Sequence, residues 1–233
     1  MMMFDPMYFV YIAPALLLAF WAQMRVKSAF AEAQRVAVPL SGAGAARHIL
    51  DAAGLQNVTI EQIPGQLSDH YDPRDKVLRL SQAVYGTRST AAVGIAAHEA
   101  GHALQDAHNY APLVLRNAAV PVASFGGSIS SLLLLAGIGM IYTGVAAAFG
   151  QTMLLIGIVA FGCVVVFQLV NLPVEFDASA RAKRLLVDHG IVADQDMVHV
   201  NRVLNAAAWT YVAGTLQAVL TLLYYIMRFS GRE

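Results

Sequence analysis

The sequence contains few charged residues and a single cysteine. Only 13% of its 233 residues are Asp, Glu, Lys or Arg, whereas soluble domains have about 25%. Together with a hydrophobic share of 58%, this deficit indicates an integral membrane protein. The net charge of zero argues against nucleic acid as a partner. Because Cys163 is the one cysteine, a disulfide framework and a thiolate zinc site are both excluded.

The hydrophobic residues are concentrated in four long runs. Each run is long enough to span a bilayer. The chain therefore divides into a transmembrane anchor, a polar metallopeptidase region that contains the H-E-x-x-H motif, a transmembrane hairpin, a second polar region and a last transmembrane span. These predicted segments are residues 1–24, 25–117, 118–170, 171–205 and 206–233. The first run has no basic start and no cleavage site of a signal peptide, so we expect it to be retained.

The positive charges predict the orientation of these spans. Nine of the fifteen Lys and Arg residues lie in 25–117 and four lie in 171–205, while Arg228 and Arg232 follow the last span. The positive-inside rule therefore places the N-terminus outside and both polar regions in the cytoplasm. Two regions on one side of the membrane can contribute residues to one shared site.

The clearest chemical motif is H-E-x-x-H, formed by His98, Glu99 and His102. On a helix the two histidines lie about 40° apart, so both imidazoles leave one face and can bind one Zn²⁺. Glu99 lies at the edge of that face, where it can accept a proton from a water activated by the metal. Ser89 and Thr90 provide a helix start, and Gly94 and Gly101 leave a bare strip for a neighbouring helix. The alternative is a pair of hydrogen-bonded core histidines.

The second polar region offers a carboxylate as the third ligand. Residues 171–190 predict a helix with Asn171 as its N-cap, Pro173 in the first turn and Gly190 as its end. Glu175 lies on a small and apolar face, where a buried charge needs a partner. Asp177 lies about 200° away in line with Arg181, which favours an ordinary ion pair. We therefore predict a single zinc bound by two histidines and Glu175, with one coordination position open.

A small β element accompanies these helices. Val58 and Ile60 alternate with polar residues and indicate a strand that ends at Pro64-Gly65. A turn at Asp72-Pro73 precedes a second predicted strand over Val77–Leu80, and a helix is expected over Ser41–Gly54. The two strands are expected to form a small sheet beside the zinc helix, where an edge strand can bind an extended peptide.

Several segments together resemble the YugP-type membrane zinc metallopeptidases. They are HEAGHALQ, LSDHYDPR, YAPLVLRN, NLPVEFDASARA and VLNAAAWTYVA, and the resemblance covers essentially the whole chain. It implies a zinc-dependent neutral peptidase in the bacterial inner membrane.

The segment EFDASARA is also similar to the E-F-E-A-D segment of HtpX-type membrane proteases, in which the leading Glu is a zinc ligand. That similarity implies the ligand role for Glu175. Ser179 stands where the pattern has Asp, so only a weaker hydrogen bond to the site is expected from it. HEAGHA occurs in FtsH-type proteases as well, but the sequence has no G-x-x-x-x-G-K-[ST] loop, so no use of ATP is expected.

Other polar residues are candidates for supporting roles. His70 and Tyr211 are candidate donors to the tetrahedral oxyanion, and Asn201 and Asn205 are candidates for orienting site residues. The ordinary interpretation of His70 is a turn histidine, and that of Tyr211 is an interfacial tyrosine. Asn201 and Asn205 would ordinarily cap a helix or form local hydrogen bonds.

The predicted molecule is a mainly α integral membrane protein with about four transmembrane helices, a cytoplasmic zincin-like domain and a small β element. The predicted function is a zinc metalloendopeptidase that hydrolyses peptide bonds at the cytoplasmic face, with membrane-associated or misfolded proteins as substrates. Its partners would be a protein or peptide and the lipid bilayer. Two alternatives stay open: cleavage inside the bilayer, as in site-2-type proteases, and a non-catalytic membrane scaffold with or without structural zinc.

Overall fold

The protein is mostly helical, with one small sheet. The computed structural model describes residues 6–65 and 67–230. The helices are α1 (Pro6–Ala33), α2 (Gly42–Ala52), α3 (Gln82–Tyr85), α4 (Thr90–Ala107), α5 (Ala111–Thr143), α6 (Ala147–Asp188) and α7 (Met197–Ser230). The strands are β1 (Thr59–Ile63), β2 (His70–Asp72) and β3 (Val77–Ser81), and a 3₁₀ turn at Asp194–Asp196 precedes α7.

The chain forms two compact units. The first, here called the helical unit, contains Met1–Phe20, Leu115–Leu172 and Tyr211–Glu233. The second, here called the sheet unit, contains Trp21–Val114 and Pro173–Thr210. Each unit is therefore assembled from segments that are distant in the sequence.

Four helices are long and apolar enough to cross a membrane, as the four apolar runs predicted. They are Pro6–Ala33, Ala111–Thr143, Ala147–Asp188 and Asp194–Arg228. Large apolar side chains point outward from them: Leu17 and Phe125 are each 70% exposed. A water-exposed surface of this kind would be unfavourable, whereas lipid accommodates it. The membrane prediction is confirmed at this level.

The predicted helix start at Asn171 is wrong. Helix α6 continues without a break through Asn171 and Pro173 to Asp188. An Asn followed by a Pro is typical of a helix start, but the residues before it already belong to the preceding apolar helix. The Asn171 side chain instead accepts a hydrogen bond from Arg116 Nε at 3.2 Å. Both residues lie in the helical unit.

The sheet contains one strand more than the sequence predicted. Its order is β1-β3-β2, with β1 parallel to β3 and β2 antiparallel to β3. The strands around Ile60 and Val77–Leu80 are confirmed. The third strand, β2, covers three residues next to the predicted turn, and this length is too short for an alternating pattern. Its conformation follows from pairing with β3, opposite Leu78 and Arg79.

Helix α4 lies at the centre of the sheet unit. Ser89 begins it by accepting a hydrogen bond from the backbone N–H of Ala92, and most of its residues are buried. Its two glycines permit close packing, as predicted: a Cβ on Gly101 would lie 2.8 Å from the carbonyl oxygen of Ala178. The other glycine, Gly94, packs on the Val200 side chain. The contact at Gly101 brings α4 against the segment of α6 that includes Glu175.

Candidate metal centre

The three predicted ligands lie together in the sheet unit. The Nε2 atom of His98 is 3.3 Å from Oε2 of Glu175, and Nε2 of His102 is 3.7 Å from the same oxygen. The ligand atoms of all three residues lie within 4.8 Å of one another. Helical spacing aligns the histidines on α4, and the close approach at Gly101 brings Glu175 to them from α6.

The distances between these atoms match a zinc site. Two ligands of a tetrahedral zinc, each about 2.0–2.1 Å from the metal, lie about 3.4 Å apart. The observed nitrogen-to-oxygen separations of 3.3 and 3.7 Å bracket this value. In addition, Oε2 of Glu175 is buried and has no hydrogen-bond partner within the described residues. A buried carboxylate oxygen without a partner is costly, and a cation would remove that cost.

A buried glutamine determines the orientation of His102. The side-chain nitrogen of Gln105 donates to the carbonyl oxygen of Val174 and to Oδ2 of Asp177, each at 2.8 Å. The amide oxygen of Gln105 is therefore the atom 2.9 Å from Nδ1 of His102. An oxygen accepts, so Nδ1 must carry the proton, and Nε2 keeps its lone pair for a metal.

The same glutamine joins the two helices that carry the ligands. Its acceptors, Val174 and Asp177, lie one residue before and two residues after Glu175 on α6. Asp177 also accepts from Arg181 Nε at 2.5 Å, which confirms the predicted ion pair. Asp177 therefore contacts Arg181 and Gln105, and Gln105 in turn contacts the candidate ligand His102.

The other histidine has a weaker partner of the same kind. The Ser179 hydroxyl lies 3.1 Å from Nδ1 of His98, one turn beyond Glu175 on α6. When this hydroxyl accepts from Nδ1–H, the Nε2 lone pair of His98 faces Glu175. The contact expected from the HtpX-type pattern is therefore present, with Ser in place of Asp.

The acidic residues of the site give it an affinity for positive charge. Burial alone would lower the pKa of His102, but the nearby carboxylate of Glu175 and the charge of Glu99 outweigh it. The pKa of His102 is therefore raised above its ordinary value. A divalent cation binds the same lone pair as the proton and benefits from the same negative charges.

The remaining candidates are placed differently. Glu99 is 8% exposed on α4, next to His98. His70 is exposed on strand β2, where its Nδ1–H donates to the Ser68 carbonyl at 2.8 Å. The interpretation of His70 as a turn residue is wrong, because His70 is the first residue of strand β2.

The candidates on α7 are Asn201, Asn205 and Tyr211. Asn205 is exposed and its side-chain oxygen accepts a hydrogen bond from Lys183 Nζ at 2.6 Å. Tyr211 belongs to the helical unit. The oxyanion roles suggested for His70 and Tyr211, and the orienting role of Asn201, stay predictions.

Sequence reasoning missed Gln105. The available signal was its position three residues after His102, which places both side chains on one face of the helix. Its two acceptors on α6 lie about 70 residues further along the chain, so no local pattern could reveal that it joins the helices.

We expect replacement of Gln105 by leucine to weaken zinc binding by roughly 10–100-fold, because partners of this kind orient the metal ligand. Competition with a chromophoric chelator measures the affinity. Gln82→Leu, an exposed glutamine on α3, is the matched control and should leave zinc binding unchanged. Equal zinc affinity in Gln105→Leu and wild-type protein would contradict the orienting role.

The fold and the site identify the class of protein. The chain belongs to the family described as "Putative neutral zinc metallopeptidase", whose model matches residues 8–230. It is similar to "Putative membrane protease YugP" of Bacillus subtilis (strain 168), with 43% identity over 97% of this chain and 99% of that protein. The family predicted from the sequence motifs is confirmed, and it implies zinc as the metal. No solved structure matches the chain.

Proposed function

We propose that this protein is a membrane-anchored zinc endopeptidase. The observation that carries the proposal is the convergence of His98, His102 and Glu175 on one point, with a buried carboxylate oxygen that has no other partner in the described part of the chain. Three protein ligands leave the fourth position of a tetrahedral zinc open, which is typical of catalytic rather than structural sites.

The residues of the chain divide the chemistry among them. Zinc, when bound, supplies the Lewis acidity that polarises a peptide carbonyl and makes a water molecule acidic enough to lose its proton near neutral pH. Glu99 accepts that proton as general base and then delivers it to the nitrogen of the leaving amine. Gln105 and Ser179 keep the imidazole rings turned so that both Nε2 atoms face Glu175.

We also propose that the reaction takes place at the cytoplasmic surface of a bacterial inner membrane, with the N-terminus outside. The distribution of Lys and Arg supports this orientation. Helix α4, which carries both histidines, is not among the four helices that are apolar enough to span. The substrates would be peptides or membrane-associated proteins, and no nucleic acid or ATP is required.

The decisive experiment uses a single-span model substrate with polar flanks and the full-length protein in lipid vesicles. Cleavage sites are mapped by mass spectrometry, and the zinc content is measured in the same samples. We expect cuts in the polar flank that require zinc. Cuts within the apolar span would favour the intramembrane alternative, and zinc-loaded protein that cuts no substrate would favour the scaffold.

A further inference from the structure

A cavity lies within the helical unit, and the proposed hydrolysis makes no use of it. Its volume is about 530 Å³, and all four apolar helices contribute to its lining. The apolar part of the lining comes mainly from Leu134, Leu135 and Ile138 of α5 and Phe161 of α6. Because every lining residue belongs to an apolar helix, a ligand would enter from the bilayer.

Two glutamines make this cavity unusual. Gln168 of α6 and Gln217 of α7 both line it, and within the described residues neither side-chain amide has a hydrogen-bond partner. Thr215 of α7 donates to the backbone carbonyl of Gln168 at 3.4 Å, so the two glutamines lie on helices that are in contact. Polar groups within apolar helices are costly without a partner and usually mark a functional site.

Further hydroxyl groups line the same cavity. Tyr8 and Thr221 lie within 3.4 Å of each other through their hydroxyl oxygens, and the ring of Tyr8 stacks on that of Tyr225. The lining therefore combines apolar walls with uncharged donors and acceptors. None of the residues that line it, all of them in the described part of the chain, carries a charge.

The volume of the cavity indicates whether its occupant is a small ligand or a protein segment. A spanning helix about 30 Å long and about 10 Å across occupies roughly 2,400 Å³, which is several times the volume of this cavity. Cavities of about 300–1,000 Å³ are typical of small-molecule sites. A cavity of this volume also suits a small ligand better than a second copy of the chain.

We propose that the helical unit binds an uncharged amphiphile from the bilayer, with its hydroxyl or carbonyl group at Gln168 and Gln217 and its chain against the apolar wall. The absence of charge among the lining residues selects against phosphate or ammonium head groups, because such a group would lie unpaired in an apolar environment. This ligand site shares no residue with the candidate metal centre and needs no metal ion.

The probe for this proposal is a photoreactive, clickable diacylglycerol, added to the full-length protein in phosphatidylcholine vesicles. We expect labelling of the cavity-lining peptides of α6 and α7 that saturates and is displaced by unlabelled diacylglycerol or a long-chain alcohol. Phosphatidic acid, which has the same chains and a charged head, should compete poorly. If unlabelled diacylglycerol displaces the probe and the long-chain alcohol does not, the glycerol ester is the recognised group. If the diacylglycerol and the alcohol both displace it, the hydroxyl is the recognised group.

Two variants test the polar and apolar halves of the cavity. Gln168→Leu/Gln217→Leu should reduce saturable labelling roughly fivefold to tenfold, as expected for two hydrogen bonds within a membrane. The matched control is Gln151→Leu, an exposed glutamine of α6 that does not line the cavity.

The apolar half is tested at Gly214, where an added Cβ would meet no atom within 4 Å. Gly214→Leu should fill the cavity and lower the labelling without loss of the fold, and Gly139→Leu, at another open position, is its control. Labelling that is unchanged in Gly214→Leu, that does not saturate, or that is replaced by cross-links between two copies would overturn the proposal. Zinc content, measured in parallel, reports the metal centre separately.

Discussion

Protein in which Glu175 is replaced by alanine should contain almost no zinc after purification. Glu175 is the one carboxylate in the ligand set and the only ligand contributed by α6. Two histidines on one helix would remain, and two ligands do not make a stable zinc site. The loss should therefore exceed the roughly 10–100-fold expected for partners that merely orient ligands. Metal analysis by mass spectrometry, normalised to protein, measures the result.

The matched control is Asp177→Ala, two residues away on the same helix. Asp177 pairs with Arg181 and accepts one of the two hydrogen bonds from Gln105, while the carbonyl of Val174 accepts the other. Its removal leaves Gln105 anchored, so we expect most of the zinc to be retained. A variant pair with the opposite ranking, in which Asp177→Ala loses zinc and Glu175→Ala keeps it, would reverse the choice of ligand.

The second large effect is expected at Glu99. Replacement by glutamine keeps the size of the side chain but removes the group that accepts the proton, and a general base contributes about 10²–10⁴-fold to a rate. Peptide cleavage should fall by that factor while the zinc content stays at the wild-type level. A fluorogenic peptide assay, with zinc measured on the same preparation, checks both expectations.

Glu61→Gln provides the control for this change. Glu61 is an exposed carboxylate on β1 and interacts with Arg79, so its replacement should affect neither zinc nor cleavage. If Glu99→Gln cleaves as fast as the wild type, Glu99 is not the base. If neither the wild type nor Glu99→Gln cleaves the peptide although both contain zinc, the result favours the scaffold over the peptidase.

Some features of the fold and of the candidate site can be predicted from short segments of the sequence. The pairing of His98 with His102 follows from helical spacing alone. The choice of Glu175 over Asp177 follows from the face of the helix on which each lies, and the structure places Glu175 beside both histidines. The helix starts at Ser41 and Ser89 follow from a side chain that bonds to a backbone N–H three residues later. All of these are relations between near neighbours.

The wrong prediction at Asn171 and the missed features, strand β2 and the role of Gln105, have a common cause. Asn171 has the features of a helix N-cap, but the preceding helix continues through it, and its side chain accepts from Arg116, which lies 55 positions earlier in the chain. The strand β2 exists because β3 is available to pair with it. The role of Gln105 depends on acceptors 69 and 72 positions away. No pattern within one segment encodes such partners.

The sequence by itself determined the membrane character, the positions of the apolar helices and the identities of the candidate zinc ligands, because each depends on composition or on spacing within one segment. Only the tertiary structure decided that Glu175 reaches the histidines, that Gln105 holds His102 in one tautomer and that Gln168 and Gln217 share a cavity. These features arise where separate helices pack together, at places such as Gly101 and Ala178. Packing of that kind depends on the shapes of both surfaces at once, so it is decided by the folded chain as a whole.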